Sequence, residues 1–166
     1  MERLIHVRDI MTRDVVSVKP DTLVSDVIKL LAERGFNGVP VVNGENELVG
    51  LITEYDLLSQ DSSVYFSPLS RLFDELKKYR EDEKKIREKM KQMLSSQVKD
   101  IMNDNPIALF ESNTLLEAAR LFMIHHRINP IPVTNEFGKL TGILSRNDLI
   151  RLQADSSFWK KILSGE

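Results

Sequence analysis

The chain has no cysteine and a single tryptophan among its 166 residues. Without thiols it can form no disulfide, hold no thiolate-bound metal and offer no cysteine nucleophile, and this usage suits a reducing compartment. Long apolar runs are missing as well: nothing approaches the roughly 18 residues that a membrane span needs. The opening Met1-Glu2-Arg3-Leu4-Ile5-His6 contains no apolar stretch of signal-peptide length, so a cytoplasmic location without membrane attachment is expected. Neither sign of charge is in excess. Lys and Arg number 23 against 25 Asp and Glu, a net charge of −2, and no overall basic field argues for nucleic acid. Also absent are H-E-x-x-H, a P-loop, G-x-G-x-x-G and a nucleophile elbow. The three histidines are His6, His125 and His126, and adjacent histidines on a helix face different ways, which makes a poor metal pair. The expectation is therefore no catalytic residue, no metal site and no required cofactor.

What is present is a repeat. Gly50-Leu51-Ile52-Thr53-Glu54-Tyr55-Asp56-Leu57 returns as Gly142-Ile143-Leu144-Ser145-Arg146-Asn147-Asp148-Leu149. Upstream, Val7-Arg8-Asp9-Ile10-Met11 matches Val98-Lys99-Asp100-Ile101-Met102. Between these blocks, Thr22/Thr114, Leu23/Leu115, Asn37/Asn129, Pro40/Pro132, Val41/Val133, Asn43/Asn135 and Leu48/Leu140 keep one register. An internal repeat sets the architecture before any local reading begins.

Each copy reads as β-α-β-β-α. Val15–Val18 and Ile107–Phe110 are short β-prone runs. A helix follows, opened in the second copy by the capping box Thr114-x-x-Glu117 and in the first by Thr22 alone. The apolar positions Val24, Val27, Ile28 and Leu31 have helical spacing. Val39–Val42 and Leu48–Ile52 flank the turn-rich Asn43-Gly44-Glu45-Asn46-Glu47 and predict a hairpin. A second helix opens near Thr53 or Ser145. A unit of about fifty residues buries too little surface to stand alone, so two units are expected to share one core.

These pieces, seen twice in order, resemble the cystathionine β-synthase (CBS) domain: the D-I-M opening, the T-L helix start, the apolar-P-V strand and the G-h-h-[ST]-x-x-D hairpin exit. The resemblance covers about 7–58 and 98–151 and implies a tandem pair, or Bateman module. The implied fold is α/β (α+β), with two β-α-β-β-α repeats packed around a pseudo-twofold and a long helical insertion between them. The implied boundaries are 1–58 and 98–154 for the repeats, 59–97 for the insertion and 155–166 for a C-terminal tail. Members of the family typically bind adenosine-containing ligands (AMP, ADP, ATP or S-adenosylmethionine) in clefts between the repeats. They report ligand levels to a regulated protein and do no chemistry on the ligand.

The hairpin exit has a physical reading of its own. A phosphate at the start of the helix after Thr53 or Ser145 would meet free N–H groups, the positive dipole end and a hydroxyl donor. Asp56 and Asp148, one turn on, would repel that phosphate and are better used as acceptors for ribose hydroxyls. The same pairs also serve as helix N-caps, and the two roles can coexist. The resemblance places the base against Val39-Pro40 or Ile131-Pro132 and against the strand after each D-I-M segment, where Thr12, Val16, Ile107 and Ala108 are candidates. Plain strand core is the competing reading for those residues. In the AMP-activated protein kinase's regulatory subunit, basic residues before the apolar-P-V strand help hold phosphates. Here Asn37-Gly38 and Asn129-Pro130 stand there. Next to the hydroxyl, the first site has Glu54 and the second Arg146, so the Ser145/Arg146/Asp148 site is expected to hold a phosphorylated ligand more strongly.

Residues 59–97 have no counterpart. From Leu69 to Ser96 there is no glycine or proline, and Leu69, Leu72, Leu76, Tyr79, Ile86, Met90 and Met93 trace a heptad-like seam. Asp74/Lys78, Glu81/Lys85 and Glu83/Arg87 are spaced to support a solvated helix, about 40 Å long at 1.5 Å per residue. Such a helix either folds back on its own module or serves as a homodimer or partner-docking element. The functional expectation is a non-catalytic adenosyl-ligand sensor acting on a partner; the alternative is a ligand-independent dimerisation scaffold whose hydroxyls and aspartates are only caps.

Overall fold

The computed structural model describes residues 4–58, 83–125 and 128–154. Helices are α1 (Val24–Arg34), α2 (Glu54–Leu58), α3 (Glu83–Ser95), α4 (Leu115–Ile124) and α5 (Arg146–Ala154). Strands are β1 (Gly38–Val42), β2 (Leu48–Thr53), β3 (Leu109–Phe110), β4 (Ile131–Thr134) and β5 (Leu140–Leu144). β1 and β2 form a two-stranded sheet. In the other sheet β3 runs parallel to β4, with Leu109 opposite Val133, and β4 runs antiparallel to β5, with Ile131 opposite Leu144.

The chain divides into two compact units, and their boundaries differ from those of the sequence repeats. One unit is built around the second repeat and comprises Met1–Ser17, Val42–Leu48 and Pro106–Glu166; the other comprises Val18–Val41 and Val49–Asn105. The opening segments are exchanged. Val7 and Met11, from the first repeat, are buried with Leu109, Ala118, Phe122, Ile131, Val133 and Leu144 of the second. Val98, from the second repeat, is buried with Val27, Leu31, Val39, Val41 and Ile52 of the first, and Ile101 and Met102 pack against them.

Backbone hydrogen bonds fix the exchange in the same way twice. In the second-repeat unit Val7 N–H donates to Asn113 C=O (2.8 Å), and Thr12 and Ile143 exchange both bonds at 2.9 Å. In the first-repeat unit Val98 N–H donates to Thr22 C=O (2.9 Å), and Leu51 and Asn103 exchange both bonds at 2.9 and 3.0 Å. Every residue of the D-I-M segment now has a task. Asp9 and Asp100 accept the N–H groups of His6 and Gln97 and hold a tight turn, at 3.0 and 2.9 Å. Ile10 and Ile101 pack on the core. The sulfurs of Met11 and Met102 lie over Gly142 and Gly50, where a Cβ would land inside the sulfur's van der Waals envelope. The glycine of the hairpin and the methionine of D-I-M are thus two halves of one contact, drawn from opposite repeats.

Three local expectations change. Thr22 does not cap α1. Its hydroxyl accepts Lys19 N–H at 3.1 Å, and Leu23 stands at the cap position without a side-chain bond. Val15–Val18 forms no strand, because only Val18 pairs, with Val41. The run 107–110 is a strand over Leu109–Phe110 alone. Thr114 does cap α4, with Glu117 completing the box. Of the expected insertion helix, 83–95 is helical and lies against α1. The remainder, including Leu69, Leu72, Leu76 and Tyr79, lies outside the described residues, as do His126 and the 155–166 tail.

The two equivalent helices end differently. α1 closes with Gly35 at φ 64°, the left-handed conformation that a glycine adopts at least cost. α4 ends at His125 with φ −110°, without that glycine.

Candidate functional site

Thr53 is the last residue of β2 and Ser145 directly follows β5, so each hydroxyl sits where a strand passes into a helix. In the first-repeat unit Thr53 N–H and Thr53 Oγ1 both donate to Asp56 Oδ2, at 2.8 and 2.7 Å, and Asp56 N–H points back to Thr53 Oγ1 at 3.4 Å. In the second-repeat unit Ser145 N–H and Oγ donate to Asp148 Oδ2 at 2.7 and 2.6 Å, and Asp148 N–H returns to Ser145 Oγ at 3.3 Å. Both pairs are reciprocal N-caps, which satisfy donors that a helix start leaves without partners. Each aspartate spends only Oδ2 on its cap. The Oδ1 atoms of Asp56 and Asp148 have no hydrogen-bond partner among the described residues, and both side chains are half-buried. A carboxylate fixed through one oxygen and open at the other is a preorganised acceptor for a vicinal diol such as a ribose.

The residues beside the hydroxyls diverge. Glu54 is exposed, and its N–H donates to the backbone carbonyl of Asn37 at 2.8 Å. Arg146 N–H instead meets the side-chain oxygen of Asn129 at 3.0 Å. The Arg146 guanidinium donates to the carbonyls of Phe122 and His125 at 3.4 and 3.3 Å and lies 5.6 Å from the Phe122 ring centroid. Arg146 therefore supplies at the end of α4 what Gly35 supplies at the end of α1: partners for the last carbonyls, with a positive charge at the negative dipole end.

The remaining predicted residues separate by unit. Ile131 and Pro132 are buried in β4, and Val39 and Pro40 in β1. Ile107 is half-buried, while Ala108 and Val16 are exposed. Thr12 is exposed and pairs with Ile143, two residues before Ser145. The second-repeat unit thus holds Thr12, Val16, Ile107, Ala108, Ile131, Pro132, Ser145, Arg146 and Asp148. The first-repeat unit holds Val39, Pro40, Thr53 and Asp56. Its counterpart to Thr12 is Asn103, which pairs with Leu51 two residues before Thr53. Asn103 did not emerge from the sequence, although the ninety-one-residue offset between the D-I-M segments leads to it from Thr12. Asn37 and Asn129, which stand in the sequence where basic residues would hold phosphates, receive the first helical N–H. Among the described residues no group of three His, Cys, Asp or Glu side chains could hold a metal ion, and no helix is long and apolar enough to cross a membrane.

The sequence model of the CBS domain matches residues 7–63 and 98–155. The chain is 32% identical to the chloroplastic CBS domain-containing protein CBSX2 of Arabidopsis thaliana over 148 residues, 87% of this chain and 62% of that protein. It thus spans about three fifths of that relative's length. An uncharacterized protein of Methanocaldococcus jannaschii is 32% identical over 151 residues, 87% of this chain and 88% of that one. The crystal structure of CBSX2 in complex with AMP superposes with a TM-score of 0.66 at 31% identity, covering 90% of this chain and 96% of that one.

Proposed function

Because the chain belongs to the CBS domain family, as a tandem pair, we propose that it is a non-catalytic regulatory module that binds an adenosine-containing ligand. Its occupancy is read by a partner protein. The observation that carries this reading is the pair of half-used carboxylates. Asp56 and Asp148 are each anchored beside a hydroxyl through Oδ2, with Oδ1 left to accept ribose hydroxyls. The AMP complex of a 31% identical relative supports the ligand class. AMP is the first candidate; ADP, ATP and S-adenosylmethionine share the nucleoside that the site would grip. The ligand acts by differential affinity for two arrangements of the chain, since only that can move an equilibrium. The module works in the cytoplasm as a homodimer.

Thermal unfolding with AMP, ADP, ATP, S-adenosylmethionine and NADH tests the reading. A ligand that binds only the native state at 100 times its Kd stabilises by about 2.7 kcal/mol. At least one adenosyl ligand is expected to raise Tm. Light scattering tests the dimer.

One observation favours a second reading. Both caps are closed by the chain's own groups, so the turns need no ligand to be satisfied. A ligand-independent scaffold would show no Tm response to any of these compounds.

A further inference from the structure

The bond network around Arg146 joins the Ser145/Asp148 turn to the end of α4. Arg146 follows Ser145 directly, so the guanidinium and the hydroxyl project from adjacent Cα atoms about 3.8 Å apart. Its contacts to Phe122 and His125 carbonyls, at 3.4 and 3.3 Å, are longer than the usual N–H···O range. A phosphate oxygen carries a full charge and matches the planar fork of an arginine, which makes shorter and stronger bonds. His125 C=O would keep a second donor, Ile128 N–H at 3.2 Å, if the arginine left.

Among the described residues, few other contacts hold the last turn of α4. Its final helical bond is His125 N–H to Leu121 C=O at 2.9 Å. Met123 and Ile124 are 72% and 68% exposed, while Phe122 is buried and Leu121 half-buried against the core. No left-handed glycine closes the helix. Turns with few buried contacts open locally and depend on their caps.

We propose that Arg146 is exchanged between two partners: the carbonyl end of α4 in the structure described above, and the phosphate of the ligand when AMP is bound. Phosphate binding then uncaps α4 and loosens its last turn. The occupied turn is thereby reported some twenty residues back in the chain, on a helix end that carries two exposed apolar side chains. The inference rests on the reading that the Ser145/Asp148 turn holds a nucleotide. It concerns the phosphate alone; adenosine, filling the nucleoside part, leaves Arg146 on α4.

Amide hydrogen exchange of the whole chain, read over Leu121–His125 with saturating AMP and separately with saturating adenosine, tests this. Faster exchange with AMP and no acceleration with adenosine are expected. Arg146→Gln is expected to show the fast rate without any ligand, and its loss of affinity for AMP should exceed its loss for adenosine about tenfold, the scale of one charge-assisted contact. Arg146→Lys keeps a charge for the phosphate, but its nitrogen ends one bond short of the Nη2 atom that meets both carbonyls at 3.4 and 3.3 Å. It should lose less AMP affinity than Arg146→Gln while already exchanging fast, a pattern that misfolding would not produce. AMP binding with unchanged or slower exchange at Leu121–His125 would overturn the exchange of partners and leave the nucleotide reading standing. Failure of both AMP and adenosine to bind the parent chain would remove both.

Discussion

The two strand-to-helix turns use one device and then part company. Thr53/Asp56 and Ser145/Asp148 make the same three hydrogen bonds, with corresponding lengths within about 0.1 Å of each other. One residue later the first turn exposes a carboxylate, Glu54, and the second extends a guanidinium to the end of α4. The shared part is what a repeat preserves because backbone geometry demands it. The divergent part is where two copies of one turn can take different ligands or different duties.

The largest expected effect tests the shared part. Gly142→Ala forces a Cβ against the Met11 sulfur, and Gly50→Ala does the same against Met102. Each should cost about 1–3 kcal/mol in urea unfolding, the range for overpacking a core. Shortening the facing methionine in the same chain should recover part of the loss, and a double-mutant cycle with no coupling would break the proposed pairing of D-I-M with the hairpin glycine. Next in size is the contrast between helix ends. Gly35→Ala places a Cβ in open space but at φ 64°, so the cost is purely of backbone and should be about 1–2 kcal/mol.

Thr53→Ala and Ser145→Ala each remove one cap hydroxyl and should cost about 1 kcal/mol by the same unfolding measurement. Nearly equal losses are expected, since the caps are alike; a large inequality would mean that one hydroxyl does something more. The smallest effect concerns Glu117. The Thr114 N–H, then the Asn113 amide and the Thr114 hydroxyl, donate to its exposed carboxylate and hold it below the ordinary value of 4.5. A depressed folded-state pKa stabilises above the unfolded value and is lost as pH falls through the folded one. The stability gap between the parent and Glu117→Gln should therefore be full at neutral pH and close below the carboxylate range. α1, which has no such box, offers no matching group.

Much of this was legible in the sequence because it is local. The hairpins, the Thr114–Glu117 box and the hydroxyl–aspartate pairs all depend on residues three to five apart. The exchange of opening segments was not, since nothing near Val7 or Val98 records which repeat's core will bury it. The first helix illustrates the limit: Thr22 has the right chemistry for a cap, yet the chain's course gives its hydroxyl to Lys19. Val15–Val18 has strand composition, but strands need partners and only Val18 finds one. Arg146 was singled out for its charge, while the carbonyls it meets lie 24 and 21 residues away. The ligand roles of Thr12, Val16, Ile107 and Ala108 rest on the family likeness, because backbone groups there would read a base whatever the side chain.

The central claim is that the two turns are nucleotide sites of unequal strength. Calorimetric titration of AMP into the parent, Asp56→Ala and Asp148→Ala tests it most directly. AMP should bind the parent, and Asp148→Ala should lose more affinity than Asp56→Ala, by about tenfold, or 1.4 kcal/mol. Equal losses would contradict the inequality, and a parent chain that binds no AMP would contradict AMP as the ligand of either turn.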